Sequence, residues 1–171
     1  MATAESLCAR CARHTTTCCQ KTEIYLTPGD VERIAGVVGE RDFYEFRAPA
    51  DPIYMQQDDD PIWPRLVYKK PDGTRRVLKQ QANGDCVFLG PQGCRLPAES
   101  RPLICRLYPF DFNERGIVPM LARGCPVELL APGESLLKVL KMNYNDADAL
   151  RRQLYAELPL ELTADDYRAD V

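Results

Sequence analysis

Thiols are the reactive groups that this sequence repeats, with eight cysteines and a single histidine in 171 residues. Four of them, Cys8, Cys11, Cys18 and Cys19, fall within the stretch CARCARHTTTCC. The others, Cys86, Cys94, Cys105 and Cys125, are separated by gaps of seven, ten and nineteen residues. Clustered thiols can form disulfides, relay electrons or hold a metal. Thiolates bind zinc tetrahedrally and anchor iron in iron–sulfur clusters, and both kinds of site commonly take four sulfurs. Cys8-x-x-Cys11 has the spacing of a metal knuckle, where a tight turn aims two sulfurs at one ion. The gaps of the second set fit no zinc-ribbon or zinc-finger pattern. Cys125-Pro126 matches the dipeptide at the last ligand of some bacterial iron–sulfur motifs. All eight cysteines are candidate metal ligands.

The adjacent pair Cys18-Cys19 raises a geometric question. Successive Cα atoms lie about 3.8 Å apart, and in extended backbone their side chains point to opposite faces. Two such sulfurs fit poorly on one tetrahedral ion. The doublet is therefore expected to serve two sites, or to supply one ligand and one packed thiol. At least one site must then mix front ligands with later ones, so the two cysteine regions are expected to meet in space.

Composition argues against a disulfide framework. Disulfide-dense scaffolds are usually short secreted chains without an adequate core. Here hydrophobic residues make up 45%, and a chain of this length buries about 70% of the surface its unfolded form exposes. The opening MATAESLCARC has neither the basic leader nor the apolar region of a signal peptide. No apolar run approaches the roughly 20 residues of a membrane span. A cytoplasmic location is expected, where thiols stay reduced and grouped cysteines bind metal. A net charge of −3 lacks the basic stripe that a nucleic-acid partner requires.

Few other residues offer chemistry. His14 reads as an exposed loop histidine, and one imidazole supports neither a serine triad nor a histidine-rich catalytic metal site. No phosphate-cradling loop and no dinucleotide-binding glycine pattern occurs. The run Asp58-Asp59-Asp60 reads as solvated charge in a proline-rich loop, residues 48–64, rather than as a hard-cation site.

The elements that must position the cysteines are short. Thr27, Pro28 and Asp30 form a capping-box start for a helix whose apolar face is Val31, Ile34, Ala35 and Val38, ended by Gly39. RLVYKKPDGTRRVLKQ reads as a hairpin turning at Pro71-Asp72-Gly73, its basic residues on a solvated or edge face. After Cys86 the pattern gives a short apolar strand, a Gly-Pro turn, a short helix between Pro102 and Pro109 that carries Cys105, and a hairpin around Glu114-Arg115-Gly116. The tail, 133–171, is helical, with one stretch over Leu136–Leu140 and another capped by Asn145 and running through Leu150, Leu154 and Leu158 to Pro159. The sum is a single α+β domain over 1–171, made of short helices and β-hairpins organised around a cysteine metal cluster in 8–125.

Taken in order, the front CxxC…CC, IYLTPGDVERI, CVFLGPQGCRLPAESRPLICRLYPF and a final GCP resemble the YkgJ-like cysteine-cluster family. This CxxCxxCC group is described as zinc- or iron-chelating, and the resemblance runs from Cys8 to about Cys125. It implies a bound metal ion, zinc or iron, the latter including an iron–sulfur cluster. Related domains occur in flagellin lysine N-methylases, larger enzymes that use S-adenosylmethionine. The six residues ARHTTT between Cys11 and the doublet make a longer spacing than the family name describes, so either Cys18 or Cys19 takes the usual ligand position. Arg101 and Arg106 are placed to offset thiolate charge or to donate hydrogen bonds to sulfur, and equally to pair with carboxylates. Tyr108 and Phe110 read as core aromatics.

Three functional classes follow. The favoured one is a metal-binding protein whose cluster is structural or handles metal. The alternative is an iron–sulfur enzyme, or a component of one, in methyl transfer or redox chemistry. A protein-binding adaptor built on a metal site is the third.

Overall fold

The computed structural model describes residues 6–55, 60–67, 73–122 and 124–160. Its first helix, α1 (Leu7–His14), starts where the Ser6 side chain accepts a hydrogen bond from the Ala9 amide. The Cys8-x-x-Cys11 knuckle is thus one turn of helix rather than a tight turn between strands or loops. Helix α2 (Pro28–Val38) has the capping box that its sequence specifies. Thr27 accepts from the Asp30 amide, Asp30 accepts from the Thr27 amide, and Gly39 closes the helix in a left-handed conformation.

Strand β1 (Tyr44–Arg47) is followed by a 3-10 turn at Pro52–Met55 and by α3 (Trp63–Val67). The structure corrects the expected hairpin of residues 65–80. Arg65, Leu66 and Val67 are helical, while β2 (Arg75–Leu78) pairs antiparallel with β1, Tyr44 opposite Leu78 and Arg47 opposite Arg75. The predicted turn residues Pro71 and Asp72 lie outside the described residues. The solvated-edge reading fails too, because both edges of β2 are taken. The Leu78 amide donates to the Ile24 carbonyl and the Leu26 amide to the Arg76 carbonyl. Arg75 is fully buried, stacked on the rings of Tyr25 and Tyr54 at 4.3 and 4.8 Å and ion-paired with Glu23. Burial lowers its guanidinium to about 10, so it remains charged and needs that carboxylate.

Asp60 is also corrected. It is buried, accepts hydrogen bonds from the Ile62 and Trp63 amides, and receives the Tyr155 hydroxyl. It caps α3 rather than meeting solvent. Asp58 and Asp59 lie outside the described residues.

The remaining elements serve the second cysteine region. A two-residue hairpin joins β3 (Leu89–Gly90) to β4 (Gly93–Cys94), so the apolar strand expected from Cys86 begins only at Leu89. A 3-10 turn at Ala98–Ser100 leads into α4 (Leu103–Leu107), then come the hairpin β5 (Phe110–Asn113) and β6 (Gly116–Leu121) and a 3-10 turn at Val127–Leu129. Helices α5 (Leu136–Leu140) and α6 (Tyr144–Glu157) complete the described chain. The cap of α6 is Asn143, not Asn145, its side chain accepting from the Asp146 amide at 2.9 Å. The tail expected to be helical through 171 is described only to residue 160. Among the described residues, no helix is long and apolar enough to cross a membrane.

Two apolar clusters form the interior, and strand alternation sorts residues between them. Tyr25 and Val77 join Trp63, Leu103, Leu107, Phe110 and Leu154 in the first. Their neighbours Ile24, Leu26 and Leu78 point the other way, to Val31, Ile34, Phe43, Phe88 and Leu96 in the second. Helix α4 lies between the two. Leu103 and Leu107, four residues apart, face the first cluster, while Cys105 packs against the second.

Candidate metal centre

All eight cysteines line one cavity of about 100 Å³. Four separate elements and their connections deliver them. Cys8 and Cys11 lie three residues apart on one face of α1, and Cys18 and Cys19 lie in the turn that follows. Cys86 precedes the β3–β4 hairpin, Cys94 ends it, Cys105 sits on α4 and Cys125 follows β6. The expectation that the two cysteine regions meet is met at this cavity. The thiols are all free, with Cys8 and Cys18 exposed, Cys11 and Cys86 buried and the other four half-buried.

Backbone contacts fix the walls. The Cys86 amide donates to the Cys19 carbonyl at 2.7 Å, bringing the front turn onto the second region. Gly93 holds a φ of +94°, and an added Cβ there would lie 3.7 Å from the Ala9 backbone. The β4 chain therefore passes directly against α1. On the other side, Arg10 donates to the Leu129 carbonyl at 2.8 Å and His14 Nε2 lies 3.2 Å from Glu128 Oε1. His14 is exposed, as expected, but it ends a helix and its partner is a carboxylate beyond Cys125. The Tyr108 hydroxyl occupies the space that a side chain at Gly124 would need.

The doublet departs from its expected geometry. Residues 17–20 form a turn, not extended backbone, closed by the Gln20 amide on the Thr17 carbonyl at 3.1 Å. Cys18 and Cys19 therefore reach the same cavity and their thiols hydrogen-bond to each other. That bond pulls the Cys19 thiol down to about 7, helped against burial by the Arg101 charge and by Thr17. The same bond, with burial, pushes Cys18 far above the usual thiol range. Burial raises Cys86 and Cys125 to about 11 each, and drives Cys105 well above its usual value. Burial likewise raises Cys8, Cys11 and Cys94. Burial thus favours the neutral thiol at most positions of the wall, and Cys19 is its most acidic member.

The two arginines singled out by the sequence part company. Arg101 lines the cavity, donates from Nε to the Leu96 carbonyl at 3.1 Å and hydrogen-bonds Cys94, lowering that thiol against its burial. Arg106 instead reaches the Glu99 carbonyl at 3.4 Å on the exposed side of α4. Tyr108 lines the cavity beside Cys125, whereas Phe110 is buried in the first apolar cluster. Two residues behind the site carry no sequence signal of their own function, Asp30 and Glu157. Asp30 accepts the Leu103 amide at 3.0 Å and the Arg33 guanidinium at 2.6 Å, and Arg33 also binds Glu157. The capping pattern revealed Asp30 as a helix start, not as a brace for α4.

The donor set suits a thiophilic metal. Cysteine sulfur selects zinc and iron–sulfur clusters over hard cations, and the cavity offers thiols without carboxylates. Among the described residues, no three histidine, cysteine, aspartate or glutamate side chains already form a coordination group.

A family model for CxxCxxCC, described as "putative zinc- or iron-chelating domain", matches residues 7–126. This chain belongs to the CxxCxxCC family. The match runs from α1 to Pro126 and includes both cysteine regions; α5 and α6 lie beyond it. No curated protein and no solved structure matches the chain. In this CxxCxxCC member, then, the elongated spacer ARHTTT is absorbed by the last residues of α1 and by Thr15, Thr16 and Thr17, which lead into the turn that holds the doublet.

Proposed function

We propose that this CxxCxxCC protein chelates zinc or iron through Cys8, Cys11, Cys18, Cys19, Cys86, Cys94, Cys105 and Cys125, in a structural or metal-handling role. The observation that carries this reading is the convergence of all eight thiols on one cavity. Eight free thiols also fit a reducing compartment such as the cytoplasm. Bound metal would supply the cross-link between the front and second cysteine regions, and iron held as a cluster would add redox chemistry. The chain's own part is to position sulfur, shield it with Phe88, Leu96 and Ile24, and place the Arg101 charge beside it.

A second reading, an iron–sulfur enzyme or enzyme component in methyl transfer or redox chemistry, draws support from Arg101 and Tyr108. Both place polar groups in a mostly apolar, thiol-lined cavity. Anaerobic purification followed by metal analysis and a visible spectrum tests the two together. Stoichiometric zinc in a colourless sample supports the first reading alone, whereas a brown sample containing iron and sulfide, which chelation also allows, is what the second requires. A protein purified without oxygen that neither contains nor takes up either metal would overturn both.

A further inference from the structure

The thiols are not spread evenly around the cavity. Cys86 belongs to the second apolar cluster, and Cys19, Cys94 and Cys105 pack against that same cluster. Backbone straps tie three of these together, with the Cys86 amide on the Cys19 carbonyl, the Leu89 amide on the Cys86 carbonyl and Leu89 in register with Cys94. Helix α4 brings Cys105 to them from behind. Cys8, Cys11, Cys18 and Cys125 stand outside that cluster. Cys8 and Cys11 share a face of α1, and Cys125 lies one residue, Pro126, before the 3-10 turn that Arg10 and His14 tie to α1. Two members of this second group, Cys8 and Cys18, are exposed, whereas no member of the first group is. The boundary between the groups passes between Cys18 and Cys19.

We infer that the cavity holds two metal ions, an inner one on Cys19, Cys86, Cys94 and Cys105 and an outer one on Cys8, Cys11, Cys18 and Cys125. This rests on the proposed metal-chelating function and divides its ligands. A tetrahedral thiophilic ion is saturated by four sulfurs, so eight thiols form two complete sets. Adjacent residues serve both sets without crowding one ion, which gives the doublet a purpose. Each ion forms metal–sulfur bonds as the thiols release their protons to solvent. Apolar side chains and hairpin backbone shield the inner ion. The outer ion meets solvent at Cys8 and Cys18, so it exchanges faster and is the one available for transfer.

The test is an anaerobic titration of the reduced, metal-free, full-length protein with Cd²⁺. Thiolate-to-metal absorption and native mass spectrometry report uptake. Two equivalents are expected, one of them removed by a chelator about tenfold faster than the other. Cys125→Ala, and separately Cys8→Ala at an exposed position, should each keep one equivalent, the slowly released one. Saturation at a single equivalent in the unaltered protein overturns the division while leaving chelation intact. So does loss of both equivalents from either variant when its melting temperature stays that of the parent. No uptake of Cd²⁺ at all overturns the chelation reading and the division with it.

Discussion

Asp30 and Leu103 are joined by a hydrogen bond of 3.0 Å between a fully buried carboxylate and a backbone amide. The bond links the start of α2 to the start of α4, two residues before Cys105. Burial pushes the Asp30 carboxyl up, and its bonds to Thr27, Arg33 and Leu103 oppose that rise. Removing the carboxylate leaves two buried amides, Thr27 and Leu103, without their acceptor. Asp30→Ala should cost about 3 kcal/mol and speed metal loss by loosening Cys105. Asp30→Asn, which keeps one acceptor oxygen, should cost about half as much. Denaturant midpoints and chelator-release rates of the two variants check this.

Glu157 supplies the pH dependence. Burial would raise its carboxyl, but the bonds from Arg33, Thr27 and Gln153 together outweigh burial and hold it below the usual range. A carboxyl lowered on folding stabilises above its unfolded pKa of about 4.3, and that contribution disappears as pH falls through the folded value. Glu157→Gln should therefore melt below the parent at pH 7, and the difference should shrink as pH drops through 4. Comparing the two proteins at each pH cancels effects of acid on bound metal. A gap that stays constant down to pH 3 would contradict this linkage.

Two glycines of α2 should respond with opposite sign. A Cβ on Gly36 meets nothing within 4 Å, so Gly36→Ala should stabilise the helix by about 0.5–1 kcal/mol. A Cβ on Gly29 would collide with the Glu157 carboxylate. Gly29→Ala should instead destabilise by about 1–2 kcal/mol, and this penalty should vanish in the Glu157→Ala background. A double-mutant cycle on thermal or chemical unfolding gives the coupling.

Arg101 and Arg106 separate charge at the cavity from charge on the surface. Arg101→Lys keeps the positive charge but loses the planar donor set that spans Leu96 and Cys94. Metal affinity should fall by about 10-fold, toward the low end of losses for supporting hydrogen bonds. Arg106→Lys should leave affinity unchanged, since its contact is an exposed carbonyl. Competition with a chromophoric chelator measures both. Equal losses in the two variants would show that only general positive charge matters.

Metal removal should lower the melting temperature without unfolding the chain. Coordination would close the loop between the front and second cysteine regions, and its binding energy then adds to folding energy. The first apolar cluster, with Trp63, Leu103, Leu107, Phe110 and Leu154, contains no cysteine and needs no metal to pack. Chelated protein should retain most of its far-ultraviolet helical signal at 25 °C while melting at lower temperature. An unchanged melting temperature with metal loss confirmed would mean that the two regions are held together by protein contacts alone.

Local signals in the sequence determined much of this protein. The capping box and terminal glycine of α2, the prolines flanking α4, and the hairpin at Glu114-Arg115-Gly116 depend on side chains within a few residues, and each formed as expected. Cysteine count and order singled out the eight thiols that line one cavity, because thiol chemistry does not depend on fold. Tertiary structure decided the partners. Arg75–Leu78 carries charges that suit an edge strand, yet β1 and the Ile24–Leu26 segment flank it on both sides, and Glu23 offsets the buried Arg75. Asp60 became a buried cap only because Tyr155, 95 residues away, comes to rest on it. The doublet followed the same logic. Extended backbone would have turned Cys18 and Cys19 apart, whereas a turn anchored by the Cys86–Cys19 hydrogen bond directs both into the cavity. Which arginine stands beside the thiols was likewise settled by the orientation of α4, whose apolar face is held by Leu103 and Leu107, leaving Arg106 on the exposed side and Arg101 at the cavity wall.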